Sequence, residues 1–247
     1  MFEQIGLAAF GVATFTLAGA VKGLVGMGLP TIVMGLLAAV MPLPQAAALM
    51  VLPSFVTNIW QVWRGPSLLP LLLRLWPLLL GICVGAWLGA GWLTSGGKLA
   101  TVALGGALAL YAGLGLATWH FELRSRHEPW LSAIAGVATG VVTAATGIYV
   151  IPAGPYLQAI GLKRDELVQA LGLSFTVSTV ALAAVLAFDG ALQIAIAGVS
   201  ALAVVPALAG MWLGQWLRAR VDPERFRIYF LVALLAIGIH LIVRGML

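Results

Sequence analysis

The sequence predicts an all-α polytopic membrane protein made of two inverted repeats, each holding a broken, re-entrant-like helix stretch and three spanning helices. Composition, duplication and charge placement lead there. Of the 247 residues, 62% are hydrophobic and 9% are charged, where a soluble domain carries about a quarter charged. So few charges cannot cover a core in water. The apolar residues come in runs close to the ~20 residues that one spanning helix needs. The same arithmetic excludes a disordered chain and a collagen-like repeat, and a single cysteine, Cys83, excludes a disulfide scaffold. The formal charge of +5 reads as topology signal, because the basic residues sit mostly in gaps between apolar runs. It does not read as nucleic-acid affinity.

Taken in order, the polar or turn-forming gaps lie near Pro42–Pro44, Arg64–Pro66, Thr94–Lys98, His120–Pro129, Gly161–Glu166, Asp189–Gly190 and Arg218–Arg227. The N-terminus carries Glu3 in place of a basic signal-peptide region, so the first apolar run is expected to stay as a helix. The stretch His120–Pro129 is the most polar near the middle, and it sets the expected division. Residues 1–119 are the first membrane repeat, 120–129 a cytoplasmic linker, and 130–247 the second repeat.

Residues 5–41 contain no charge except Lys22. As one straight helix they would run about 55 Å, and the hydrocarbon core is about 30 Å thick. The chain must break, and Gly23-Leu-Val-Gly26-Met-Gly28-Leu-Pro30 is where glycine freedom and a proline permit it. Residues 131–160 carry the matching break, with Thr143, Thr146, Gly147, Pro152, Gly154 and Pro155. Other anchors repeat in the same order. Gly19-Ala-Val-Lys-Gly23 recurs as Gly136-Val-Ala-Thr-Gly140. Pro53-Ser54-Phe55 recurs as Leu173-Ser174-Phe175, and Gly85-Ala-Trp-Leu-Gly89 as Gly210-Met-Trp-Leu-Gly214. Such internal duplication is a signature of secondary transporters.

Each broken stretch could cross once or return as two half-depth legs. If both return, Arg64, Arg74, Arg124, Arg126, Lys163, Arg164, Arg218, Arg220, Arg225 and Arg227 fall on one side, against Lys98 and Arg244 on the other. Ten against two is a strong positive-inside pattern; single crossings give five against seven, which orients nothing. The returning arrangement puts both termini outside and the central loop in the cytoplasm. It also makes the halves inverted.

Two breaks approaching from opposite faces would meet near the midplane, with helix N-termini offering N–H groups and partial positive charge. Neither broken stretch contains Asp or Glu, and Lys22 is the one basic residue in the first. An anion fits that inventory better than a cation. The candidate substrate-binding residues are Lys22, Gly26, Gly28 and Thr31 at the first break, with Ser54 and Asn58 on the following helix. Thr143, Thr146 and Gly147 stand at the second break, with Ser174 and Ser178 after it. Ser54/Asn58 and Ser174/Ser178 share helix faces by i,i+4 spacing. Thr57, Gln61, Tyr149, Thr176 and Thr179 are further donors nearby. Plainer roles compete with these: Lys22 snorkelling to headgroups, Ser and Thr bonding their own backbone, and paired glycines packing helices. The tryptophans, His240 and the Arg218–Arg227 cluster read as anchoring, packing or lipid contact. No dinucleotide, phosphate-loop, metal-ligand or paired-carboxylate pattern is present, so neither an enzyme nor a cofactor is expected.

The glycine-rich segments Gly19–Pro30 and Gly136–Pro155, each followed by a polar-spotted helix (Pro53–Gln61 and Gly172–Thr179), resemble the sulfite exporter TauE/SafE family of membrane permeases. The resemblance covers nearly the whole chain. It implies a carrier in the cell membrane that moves sulfite, sulfonates or related small organic anions, often outward, with membrane lipid and a small anion as its partners. Alternating access, one half rocking against the other, is the expected mechanism. A cation-coupled importer using Asp189 and exposed carbonyls, an anion channel and a non-transporting scaffold are the alternatives. The sequence sets no oligomeric state.

Overall fold

In hydrocarbon a backbone N–H or C=O must find its partner within the protein, and a helix supplies one for nearly every residue. The computed structural model describes residues 2–117 and 128–247. The expected linker 120–129 therefore lies, up to residue 127, outside the described residues. The helices of the first half are α1 (Phe2–Val25), α2 (Leu29–Leu37), α3 (Leu43–Arg64), α4 (Leu68–Leu88), α5 (Trp92–Ser95) and α6 (Gly97–Leu116). Those of the second are α7 (Glu128–Thr146), α8 (Ala153–Ala159), α9 (Arg164–Phe188), α10 (Ile194–Leu217) and α11 (Pro223–Met246). Among the described residues no strand occurs. Among the described residues eight segments are long and apolar enough to cross a membrane: α1, α3, α4 continued into α5, α6, α7, α9, α10 and α11.

Both long stretches break where the glycines stand. The chain leaves α1 through Gly26 (φ 87°) and Gly28 (φ 117°), angles that a residue with a Cβ rarely adopts. Pro30 then falls in the first turn of α2, where its missing N–H is harmless. Gly147 (φ 75°) ends α7 in the same way, and irregular chain through Ile148–Val150 leads into α8. The legs are unequal rather than half-depth each: 24 and 9 residues in the first stretch, 19 and 7 in the second. The chain stays helical until it meets a glycine free to leave the helix.

The second stretch comes back to the end it started from. Arg74 on α4 holds both of its ends, donating to the Glu128 carboxylate at 2.9 Å and to the Ile160 carbonyl at 3.1 Å. At the opposite end of the bundle, Arg244 near the end of α11 donates to the carbonyls of Ala38 (3.2 Å) and Ala39 (2.6 Å), just after α2.

Glycines decide which helices touch most closely, and the close pairs each join one half of the chain to the other. A Cβ on Gly85 would overlap the Val137 carbonyl, and one on Gly136 the Leu78 carbonyl, so α4 and α7 run parallel with backbones in contact. A Cβ on Gly210 would overlap the Thr16 carbonyl, and one on Gly19 the Ala207 carbonyl, which pairs α10 with α1 in the same way. Gly105 and Gly238 bring α6 and α11 together antiparallel, and Gly172 fits α9 against Asn58 and Gln61 of α3. The helices of the two halves are thus interleaved.

One polar latch ties the α3–α4 turn to α9. The fully buried Gln169 accepts from the Ser67 backbone N–H at 2.7 Å and donates to the Val62 carbonyl at 2.8 Å. Gly65 leaves room for this side chain, since a Cβ there would overlap it. Gln169→Leu strands both backbone groups and is expected to destabilise the protein by about 1–3 kcal/mol, read as a lowered midpoint of thermal unfolding in detergent.

Candidate functional site

The α3 sequence places Ser54, Thr57, Asn58 and Gln61 at i, i+3, i+4 and i+7, one stripe of a helix. All four are buried. Pro53 sits just before the stripe, inside the helix, and has no N–H to offer the Leu49 carbonyl. The Ser200 hydroxyl of α10 takes that place, donating to the Leu49 carbonyl at 2.7 Å. The Thr57 hydroxyl donates to the Pro53 carbonyl at 2.7 Å, which leaves its lone pairs facing outward from the helix.

Lys22, one turn before the first break, points into this stripe. It is 2% exposed. Its Nζ donates to Thr57 Oγ1 at 2.9 Å and to Asn58 Oδ1. The Asn58 amide nitrogen continues the chain by donating to Thr179 Oγ1 of α9 at 3.2 Å. One turn along, Gln61 Nε2 donates to the Gly26 carbonyl at 2.7 Å, so a carbonyl freed by the break is satisfied by α3. The first break is thus docked on α3 at two points.

The second break reaches the same region through Tyr149. This side chain is 0% exposed. Its ring packs on Phe175 of α9 with centroids 5.1 Å apart. Its hydroxyl faces Ser54, Thr179 and Asn58 without completing a hydrogen bond. The hydroxyls of Ser54, Ser174 and Ser178 and the Oε1 of Gln61 are likewise buried without a partner. Native interiors leave few such groups, and each one asks for a reason.

The charge balance is one-sided. Among the described residues the ion pairs are Arg74–Glu128, Arg225–Asp222 and Arg227–Glu224, and none involves Lys22. Asp189 accepts from the Thr94 hydroxyl at 2.9 Å where α9 ends, away from the stripe. The second half offers no matching cation. Thr139 stands where the duplication puts the counterpart of Lys22, and its oxygen accepts from the Ala153 N–H at 3.0 Å, capping the start of α8.

The sequence candidates therefore separate. Lys22 and Asn58 meet directly, Ser54 stands on the same stripe, and Ser174 and Ser178 are buried on α9 beside Thr179. Gly26 supplies a bonded carbonyl. Gly28 is closed off, its open side filled by Val21 and Phe230, and a Cβ on Gly147 would press on Met34. The three threonines bond locally: Thr31 to the Gly28 carbonyl (2.8 Å), Thr143 to Thr139 (2.7 Å) and Thr146 to Val142 (2.6 Å). Thr57, Gln61, Thr179 and Tyr149 join the centre although they stood outside the candidate set. Their helical spacing carried that signal for the first three, and Tyr149 was marked only by its place beside the second break. Thr143→Val is accordingly expected to leave the affinity for any central ligand unchanged, measured by titration against thermal stability.

Every residue of the cluster is buried from both ends of the bundle, so the arrangement is occluded. Two apolar recesses open instead on its sides. One lies between α4 and α9, lined by Cys83, Trp87 and Val180, and the other between α4 and α7, lined by Trp76, Leu80 and Trp130. Among known proteins, the chain matches the family model described as "Sulfite exporter TauE/SafE" over residues 11–241. No curated protein and no solved structure matches it.

Proposed function

Because the chain belongs to the sulfite exporter TauE/SafE family, a family of membrane transporters, we propose that it exports a small sulfur-containing or organic anion, such as sulfite or a sulfonate, by alternating access around the Lys22 cluster. The observation that carries this reading is the buried Lys22 amine, with no carboxylate paired to it among the described residues. An isolated cation in hydrocarbon costs several kcal/mol. A bound anion removes that penalty and would find hydroxyl donors on α3 and α9 around it. Gly26, Gly28, Thr31, Thr143, Thr146 and Gly147 then serve by shaping the breaks, and Ser54, Asn58, Ser174 and Ser178 by facing the ligand.

The halves are inverted repeats in this reading. The parallel pairs α1–α10 and α4–α7 exchange under the alignment of Gly19–Gly23 with Gly136–Gly140 and Gly85–Gly89 with Gly210–Gly214, which supports it. The Arg74 end faces the cytoplasm, where the positive-inside rule puts ten basic residues, and the termini lie outside. With the cell interior negative, a monoanion leaves with about 2.3 kcal/mol per 100 mV in its favour, a gradient of roughly fiftyfold. No coupling ion is required. The occluded centre argues against an open channel, and the position of Asp189 against a carboxylate-coupled cation cycle.

Thermal stabilisation of the purified protein by sulfite, thiosulfate, sulfoacetate, acetate and chloride at matched ionic strength tests the proposal. A selective upward shift for a sulfur oxyanion is the expected result. Equal responses to all five salts, or none, would sink it.

A further inference from the structure

The partnerless hydroxyl of Tyr149 has a use that the family assignment leaves open. It belongs to the largest fully buried side chain among the described residues. It comes from the second break, two residues past Gly147, whereas Lys22 comes from the first. Both reach Asn58: Lys22 by donating to its Oδ1, and the Tyr149 hydroxyl by facing it together with Ser54 and Thr179. A buried hydroxyl that lies beside three polar neighbours and closes a well-formed hydrogen bond with none of them is free to turn toward a group that is not part of the chain.

The charge inventory says what that group is. One amine is available to carry a positive charge, the counterpart position in the second half is the neutral Thr139, and among the described residues no carboxylate pairs with Lys22. The unpartnered hydroxyls of Ser54 and Tyr149 stand with Asn58, its hydrogen-bond partner. One positive charge and several neutral donors suit an oxyanion with one negative charge and several acceptor oxygens. A dianion would bring a second charge with nothing to balance it in a low-dielectric interior.

Resting on the exporter reading above, we propose that Tyr149 is a ligand-binding residue, and that its hydroxyl and the Lys22 ammonium grip the same singly charged oxyanion, one from each break. The site thereby favours a sulfonate or hydrogensulfite over sulfate. Tyr149 is a specificity residue in this scheme, since a phenol donates one hydrogen bond and cannot neutralise a second charge.

The test uses the full-length protein in detergent, with methanesulfonate as the monoanionic probe and sulfate as the dianionic one at matched ionic strength. Wild type, Tyr149→Phe and Lys22→Met are titrated by thermal stability. Wild type is expected to be stabilised by methanesulfonate and not by sulfate. Tyr149→Phe keeps the ring on Phe175 and removes an unsatisfied hydroxyl, so without ligand it is expected to be as stable as wild type or more so. Its affinity for methanesulfonate falls by about tenfold or more, the scale of a hydrogen bond to a charged group. A merely structural tyrosine would show the opposite signature, a lower ligand-free midpoint and unchanged affinity. Unchanged affinity in Tyr149→Phe, with binding lost in Lys22→Met, overturns this inference and leaves the exporter reading standing. Sulfate binding as tightly as methanesulfonate overturns the charge selectivity. No stabilisation of wild type by either probe overturns both.

Discussion

Replacing Lys22 by methionine is expected to abolish anion binding and transport while leaving the protein folded. The side chain is buried, its Nζ is held by Thr57 and Asn58, and no carboxylate balances it. Truncating one partner of a desolvated charge pair costs about 2–5 kcal/mol, or roughly thirtyfold to several-thousandfold in affinity. Methionine fills nearly the same volume and is at ease in an apolar surround. The ligand-free protein therefore loses a buried charge along with two hydrogen bonds, and its unfolding midpoint should stay near that of wild type. Efflux from proteoliposomes loaded with a labelled sulfonate, run beside thermal unfolding, separates the two effects. Normal efflux by a well-folded Lys22→Met variant would reduce Lys22 to a packing residue that ties α1 to α3.

The second large effect is in packing. Gly85→Ala and Gly210→Ala each push a methyl group into a backbone carbonyl of the facing helix, Val137 in one case and Thr16 in the other. Neither carbonyl can move without shifting its whole helix. Overpacking of this kind costs about 1–3 kcal/mol or more, and both variants are expected to give poorly folded protein in size-exclusion chromatography. Gly106→Ala and Gly113→Ala are the controls. Both are on α6 with open space beyond the α-carbon, so they should be neutral or gain up to about 1 kcal/mol of helix propensity. Similar behaviour of Gly85→Ala and Gly106→Ala would mean that α4 and α7 do not approach as described. Similar damage at Gly85 and Gly210 is what inverted symmetry requires.

Much of this was legible in the residues. Both breaks fall inside the segments Gly23–Pro30 and Gly140–Pro155 that the residues pointed to, because few sequences other than glycine with proline stop a helix inside an apolar run. The i,i+3,i+4 spacing of Ser54, Thr57 and Asn58 put them on one face before any fold was known. What the spacing could not give was the partner across the gap. All five threonines donate to their own backbone, and that Thr57 and Thr179 also accept from the cluster while Thr31, Thr143 and Thr146 bond locally depends on which side of a turn each hydroxyl falls. Periodicity does not encode that. Tyr149 sits in irregular chain, where no period exists to be read. The unequal legs of the broken stretches were also hidden, since length arithmetic fixes a total and leaves the division open.

The interleaving bears on motion as well. The close-packed pairs cross between halves, so a carrier cycle cannot swing residues 1–119 as one body against 130–247 without parting backbones that touch at Gly85, Gly136, Gly19 and Gly210. The moving units have to be mixed, each drawing helices from both halves.

The same pairing sets a problem for biogenesis. While the ribosome is still making the second half, α1 and α4 are already in the membrane with their glycine faces turned to lipid, and their partners α10 and α7 do not yet exist. The amino-terminal half is then an orphan, a natural client for insertion chaperones and quality-control proteases. Expressed alone, it should be degraded. Co-expressed with the carboxy-terminal half as a separate polypeptide, it should be rescued, since the closest backbone contacts are made between the two pieces.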